Sequence, residues 1–187
     1  TEWRPDYYVV LDKRVLNRHS YFKWEENTKR KCFIADMSEE FWRQNQSEKN
    51  VKYHSIRNMN SRGEKFSDDI SRRVYFGATV AYDCLQIAVY MGFRKIYLLG
   101  MDLVPYKPSS KSAAYYSNFF ETDSRDKKPQ MWVNKILRGY SAAKEYAVSN
   151  HIQIYNATRG GYLDIFERVD FDKLFEKSGC KAVVVVC

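Results

Sequence analysis

The chain has 187 residues, with 31 Lys and Arg against 23 Asp and Glu and a formal charge of +8. Hydrophobic residues make up 44% and aromatic residues 16%, enough for a real core, which excludes a disordered or low-complexity protein. No apolar run approaches the roughly 20 residues of a membrane span, and Cys32, Cys84, Cys180 and Cys187 form no CxxC pair and have no His at ligand spacing. A disulfide scaffold and a structural zinc site are therefore not expected. With no secretory leader at its start, the chain is expected in a reducing cytoplasm, including the inner face of the membrane.

Taken in chain order, apolar runs predict strands over residues 7–11 and 31–35, and a weaker one over 51–57. Residues 58–73 are polar and read as a loop. A helix follows over residues 78–91, between Gly77 and Gly92, and Gly92 is placed as its C-terminal cap. This helix is apolar nearly all round, so it is expected to be buried. It feeds a strand over residues 96–99. Residues 103–130, with two prolines, a Ser/Lys cluster and several aromatics, form a long insertion of the kind that serves as a lid. A helix over 132–149 and a strand over 152–155 complete a βαβ unit. A short helix is predicted over 170–177 with Asp170 as N-cap. The apolar tail, 182–187, reads as an edge strand in need of a partner. The fold class is α/β: Rossmann-like, a mostly parallel sheet with helices on both faces and a long lid loop. Residues 1–179 are expected to form one domain and 180–187 an apolar tail.

In an open parallel sheet, ligands bind beyond the carboxyl ends of the strands. Asp12, Asp102 and the turn from Asn156 to Gly161 occupy such ends, and Gly77, Ala78 and Thr79 open the buried helix. In the turn, Gly160 and Gly161 permit close backbone approach, Thr158 supplies a hydroxyl and Arg159 a phosphate fork. The alternative is a tight turn whose Arg159 pairs with a carboxylate such as Asp164. Residues 77–79 either present N–H groups to an anion or only allow close packing. Asp12 and Asp102 suit either holding Mg²⁺ beside a phosphate or orienting a ribose or sugar hydroxyl; the alternative is capping, or ion pairs with Arg14 or Arg94. Tyr106, Tyr115 and Tyr116 in the insertion either donate to phosphate or pack under the lid. His19, His54 and His151 stand where none is an evident general base. The P-loop, GxGxxG, HExxH and GxSxG motifs are absent from the sequence.

The stretch from Gly77 through Asp102, the stretch from Ile154 to Phe171 and the opening from Trp3 to Asp12 resemble the DUF115, or MptE-like, family. That family includes archaeal hydroxymethylpterin diphosphokinases and flagellin-modifying motility accessory proteins. The pattern is also similar to that of bacterial sialyltransferases that use CMP-sialic acid. The resemblance implies a Rossmann-like, nucleotide-binding transferase. The Gly-Asn-Gly-Pro-Ser-like turn of such proteins has no counterpart here, so the chain is expected to lack their first βα unit. The sialyltransferase lid histidine is also missing; Asn134 stands near its place.

From this the leading expectation is a glycosyltransferase-like protein of bacterial surface-glycan assembly, taking a sugar nucleotide and a glycan or lipid-linked acceptor. Gly77, Ala78, Thr79, Asn156, Thr158, Arg159, Gly160 and Gly161 would bind nucleotide or phosphate. Asp102, Tyr106 and Tyr115 would be catalytic, with Asp12 and Asp102 as Mg²⁺ ligands. The alternatives are a Mg²⁺-dependent ATP diphosphokinase acting on a pterin-like alcohol, and a non-catalytic assembly module. A homo-oligomer is allowed for. A specific nucleic-acid partner is not expected, because the positive charges form no basic helix interleaved with aromatics.

Overall fold

The structure is a computed structural model that describes residues 4–11, 28–35, 42–43, 47–56, 65–103, 129–174 and 183–186. The first sheet runs in the order β1 (Tyr7–Val10), β2 (Lys31–Ala35), β3 (Asn50–Tyr53), all parallel. Alternation along these strands separates two faces. Tyr8, Val10, Cys32 and Ile34 pack with Trp42 on one, while Tyr7, Val9, Phe33, Ala35 and Tyr53 pack with Ile87 and Val74 on the other. Both faces are covered, as a parallel sheet requires.

The run predicted as one strand over 51–57 is broken at His54. Ser55–Ile56 forms β4, which leaves the first sheet and pairs with β5 (Val74–Tyr75), a strand the sequence did not announce. The break has a bonding cause. The His54 carbonyl accepts from the Val74 N–H at 2.7 Å and the Ile56 carbonyl from the Phe76 N–H at 2.9 Å, so the backbone turns to a new partner. Residues 65–73 remain irregular, as expected.

The buried helix is α1 (Val80–Tyr90). Its first turn is capped by Thr79, whose side chain accepts from the Ala81 N–H at 3.3 Å. At its end Gly92, at φ 87°, donates to the Val89 carbonyl and Phe93 donates to the Ala88 carbonyl. This is the paired C-terminal closure that the Gly92 position predicts. Between these caps, Ala81, Tyr82, Leu85, Ala88 and Val89 pack against β6 (Lys95–Leu99), β7 (Gln153–Asn156) and α2 (Pro129–Ser149), while Ile87 faces the first sheet. The second sheet has the order β8-β7-β6-β9, again parallel, with β8 (Glu167–Arg168) and β9 (Val183–Val186) at its edges. The apolar tail thus finds its partner in its own chain, from Ile96 opposite Val183 to Leu99 opposite Val186. The helix expected over 170–177 is a 3₁₀ turn, Asp172–Leu174, within the described residues; Asp170 Oδ1 does accept from the Asp172 N–H at 3.0 Å. The strands are parallel and the fold is α/β and Rossmann-like. Most of the expected lid, residues 104–128, lies outside the described residues.

Buried Gln86 ties α1 to the chain before it. Its Oε1 accepts from the Ser67 N–H at 3.0 Å and the Tyr75 N–H at 2.9 Å, and its Nε2 donates to the Tyr75 carbonyl at 2.9 Å. Gln86→Leu keeps the volume but strands three backbone groups. The variant is expected to lose at least about 2 kcal/mol of stability in urea denaturation.

Candidate functional site

The carboxyl ends of β6 and β7 are fastened to each other. The Ala157 N–H donates to the Leu98 carbonyl at 2.9 Å, and the Met101 N–H donates to Thr158 Oγ1 at 2.9 Å. Asn156 is fully buried, and both ends of its carboxamide are used. Oδ1 accepts from the Thr158 N–H at 3.0 Å and Nδ2 donates to the Leu163 carbonyl at 2.9 Å. These side chains therefore shape the turn. What the turn offers outward is its backbone at Gly160 and the side chain of Arg159.

Gly161 explains the second glycine. At φ 78°, a Cβ here would sit 2.5 Å from the Asp102 carbonyl oxygen, which also accepts the Tyr162 N–H at 2.6 Å. The turn and Asp102 are thereby brought together as expected. Next to Asp102, Leu103 holds φ 41°, a left-handed conformation costly for a residue with a Cβ. Asp102 makes no ion pair among the described residues, so neither Arg94 nor another cation neutralises it there.

Two arginines divide the work at the turn. Arg168, an exposed residue whose side chain is 34% accessible, donates to the Thr158 carbonyl at 2.9 Å, to the Gly160 carbonyl, and to Asp164 Oδ1 at 3.4 Å. Arg159 is exposed, ion-paired to Asp172, with its guanidinium carbon 5.4 Å from the centroid of the Phe171 ring. The pairing of Arg159 with Asp164 weighed from the sequence is thus replaced by Arg159 with Asp172, and Asp164 goes to Arg168. The reason is reach across the fold: Arg168 leaves the edge strand β8 beside Asp164, while the chain after β8 swings Asp172 back to Arg159.

At the start of α1, Ala78 holds φ 67°. Gly77 has no room for a side chain, since a Cβ would lie 2.4 Å from the Tyr82 ring, and the corresponding position on Gly139 of α2 is 3.4 Å from the Gly77 Cα. Close packing at 77–79 is therefore real. Two N–H groups of the first turn are already bonded to Thr79, that of Ala81 to Oγ1 at 3.3 Å and that of Tyr82 to the carbonyl at 3.1 Å. The link from here to the strand ends is a chain of packed side chains. Tyr82 meets Tyr140 ring to ring at 6.4 Å, and the Tyr140 hydroxyl lies 3.9 Å from Met101 Sδ. Asp12, Tyr106, Tyr115 and Tyr116 lie outside the described residues. Among the described residues, no group of three His, Cys, Asp or Glu is arranged to hold a metal ion.

One ionisable group went unnoticed in the sequence. Asp83, in the first turn of α1, is fully buried, and its Oδ2 accepts from the Tyr53 hydroxyl at 2.9 Å. That hydroxyl also lies 3.4 Å from the Val10 carbonyl, so the contact joins α1 to the carboxyl ends of β1 and β3. Asp83 Oδ1 has no hydrogen-bond partner among the described residues. Burial pushes the carboxyl up to about 8, against the opposing effect of the Tyr53 bond. The available signal was a lone carboxylate in an otherwise apolar helix.

A family model described as 6-hydroxymethylpterin diphosphokinase MptE-like matches residues 2–107. This is more than half of the chain, and the chain belongs to the MptE-like family. The matched segment contains Gly77–Thr79, Asp83 and Asp102; the 156–161 turn lies beyond it. No curated protein and no solved structure matches the chain.

Two outcomes follow from this geometry. Gly161→Ala must displace the Asp102 carbonyl and adopt positive φ; it is expected to lower stability by about 1–3 kcal/mol, read as a fall in melting temperature. Asp83 in the folded protein keeps its proton up to about pH 8. The unfolded chain releases that proton near the ordinary aspartate value of about 3.9. The stability associated with Asp83 is therefore full below about pH 4 and is lost as pH rises towards 8. Asp83→Asn removes this slope. The stability difference between variant and wild type is expected to move in the variant's favour by more than about 1 kcal/mol between pH 4 and pH 8 in urea titrations.

Proposed function

We propose that this MptE-like chain is a nucleotide-dependent transferase that moves a diphosphoryl group from ATP to the hydroxymethyl oxygen of a pterin-like alcohol. The observation that carries the reading is the family match over residues 2–107, which includes the start of the buried helix and the β6 strand end with Asp102. In the reaction, the alcohol oxygen attacks the β-phosphorus. The bond from that phosphorus to the oxygen bridging the α- and β-phosphates breaks, AMP leaves with the bridging oxygen, and the hydroxyl proton is released to water.

Little covalent chemistry falls to the protein in such a transfer. Positioning and charge stabilisation do most of the work. In the proposal, Arg159 faces the phosphates with its fork of donors, and Gly160 lets the backbone come close. The N–H groups around Thr79 at the start of α1 take a second phosphate. Asp102, with a carboxylate uncommitted among the described residues, fits Mg²⁺, which binds through one or two carboxylates plus phosphates and keeps several waters. Mg²⁺ would supply neutralisation of the ATP charge. Asp12 as a second ligand and Tyr106 and Tyr115 as phosphate donors complete the proposal from the sequence side. The net charge of +8 favours an anionic substrate in general.

The test is a thermal-shift series with ATP, UDP, CMP and GDP, each with and without Mg²⁺, followed by an assay for AMP release with a hydroxymethylpterin. A Mg²⁺-dependent rise in melting temperature with ATP, and AMP release that requires the alcohol, are expected. A metal-independent shift with CMP or UDP and none with ATP would overturn the diphosphokinase in favour of a sugar-nucleotide-dependent glycosyltransferase. No shift with any nucleotide would favour the assembly module.

A further inference from the structure

Arg159 and Arg168 flank the same turn, yet the structure binds them differently. Arg168 donates to main-chain carbonyls at Thr158, Gly160 and Leu163, so it cannot move without loosening the turn. Arg159 holds nothing of the turn. Its partners are one carboxylate oxygen of Asp172 and the face of Phe171, both contributed by the segment after β8. The pair is exposed on both sides, with side-chain accessibilities of 72% and 67%. An ion pair this open to water contributes little to stability.

Asp172 is equally free to let go. Its own 3₁₀ turn is held by other bonds. The Asp172 N–H donates to Asp170 Oδ1 at 3.0 Å, the Leu174 N–H to the Phe171 carbonyl at 3.2 Å, and Lys173 Nζ lies 3.8 Å from Asp170 Oδ2. Loss of the Arg159 contact therefore unfolds neither segment. A phosphate carries more charge than a carboxylate and accepts from two guanidinium N–H groups at once, so it is the stronger partner for the same fork.

We propose that Asp172 is an internal competitor for the phosphate of the ligand. It neutralises Arg159 in the structure seen here and gives it up when a phosphate reaches the turn. The inference rests on the reading of the 156–161 turn as a phosphate site. Asp172 thereby sets affinity and ionic selectivity: a ligand must out-compete a tethered carboxylate, which a diphosphate or triphosphate does and a carboxylate metabolite does not.

The experiment is a calorimetric titration of ATP with Mg²⁺, UDP and inorganic pyrophosphate into wild type, Asp172→Asn, Arg159→Ala and the double variant, at low and at high salt. Melting curves of the apo proteins establish that each is folded. Asp172→Asn is expected to bind the probe that wild type binds about two- to five-fold more tightly at low salt. The gain should shrink at high salt and vanish in the Arg159→Ala background. Unchanged or weaker binding by folded Asp172→Asn overturns the competition, as does a gain that persists without Arg159. If wild type binds a probe and Arg159→Ala binds it equally well, Arg159 is not its ligand and the exchange fails alone. If wild type binds none of the three probes, the nucleotide-transferase reading itself fails and takes the exchange with it.

Discussion

The constraint on which the rest depends is the burial of α1 on opposite sides. Leu85, Ala88 and Val89 face β6, β7 and α2, while Ile87 faces the first sheet, so one helix serves two hydrophobic clusters. Such a helix has no polar face on which to place its polar residues. Asp83 and Gln86 are buried in consequence, and each must find partners inside the protein. Gln86 does so completely with the backbone at Ser67, Tyr75 and Tyr82. Asp83 does so in part with Tyr53, and its carboxyl keeps the proton because the charged form has no water to stabilise it. The same crowding requires Gly77 at the entry to the helix, where the Tyr82 ring fills the space a side chain would take.

From this helix the order passes to the strand ends. Tyr82 packs on Tyr140, Tyr140 reaches Met101, and Met101 donates to Thr158. The turn after β7 is thus set by the core rather than left as a mobile connection. Its internal polar groups are satisfied by Asn156 and Arg168, whereas Arg159 makes no bond to the turn and stands more open to solvent. In the phosphate site proposed for this turn, a backbone already ordered by the core would meet the ordering cost in folding and not in binding.

Much of this was legible in the residues. The strands around Val9, Phe33, Leu98 and Ile154 are short apolar runs long enough only for a sheet. The end of α1 follows from Gly92, since few other residues accept its positive φ, and the four valines near the end of the chain do form a strand. Family membership was also legible, in the run from Gly77 to Asp102. Other features escaped because they depend on which backbone groups meet. The break at His54 exists because Val74 and Phe76 offer donors to it, and β5 and β8 are two-residue strands with no periodicity to read. That Arg159 can pair with a carboxylate was legible, but which one was not: Asp164, Glu167, Asp170 and Asp172 all follow within thirteen residues, and sequence distance does not rank them.

The sequence by itself determined the α/β class, the burial and ends of the central helix, and the strand ends at which polar residues collect. These are local matters of propensity, periodicity and capping, each decided within a few residues. Tertiary structure alone decided the rest: that Asn156 and Thr158 shape the turn while Arg159 faces out, that Gly161 is demanded by the Asp102 carbonyl, and that Asp83 is held protonated beside Tyr53. These depend on contacts such as Met101 with Thr158, Asp102 with Gly161 and Tyr53 with Asp83, in which an atom from a distant part of the chain arrives within about 3 Å, the range over which hydrogen bonding and steric exclusion act.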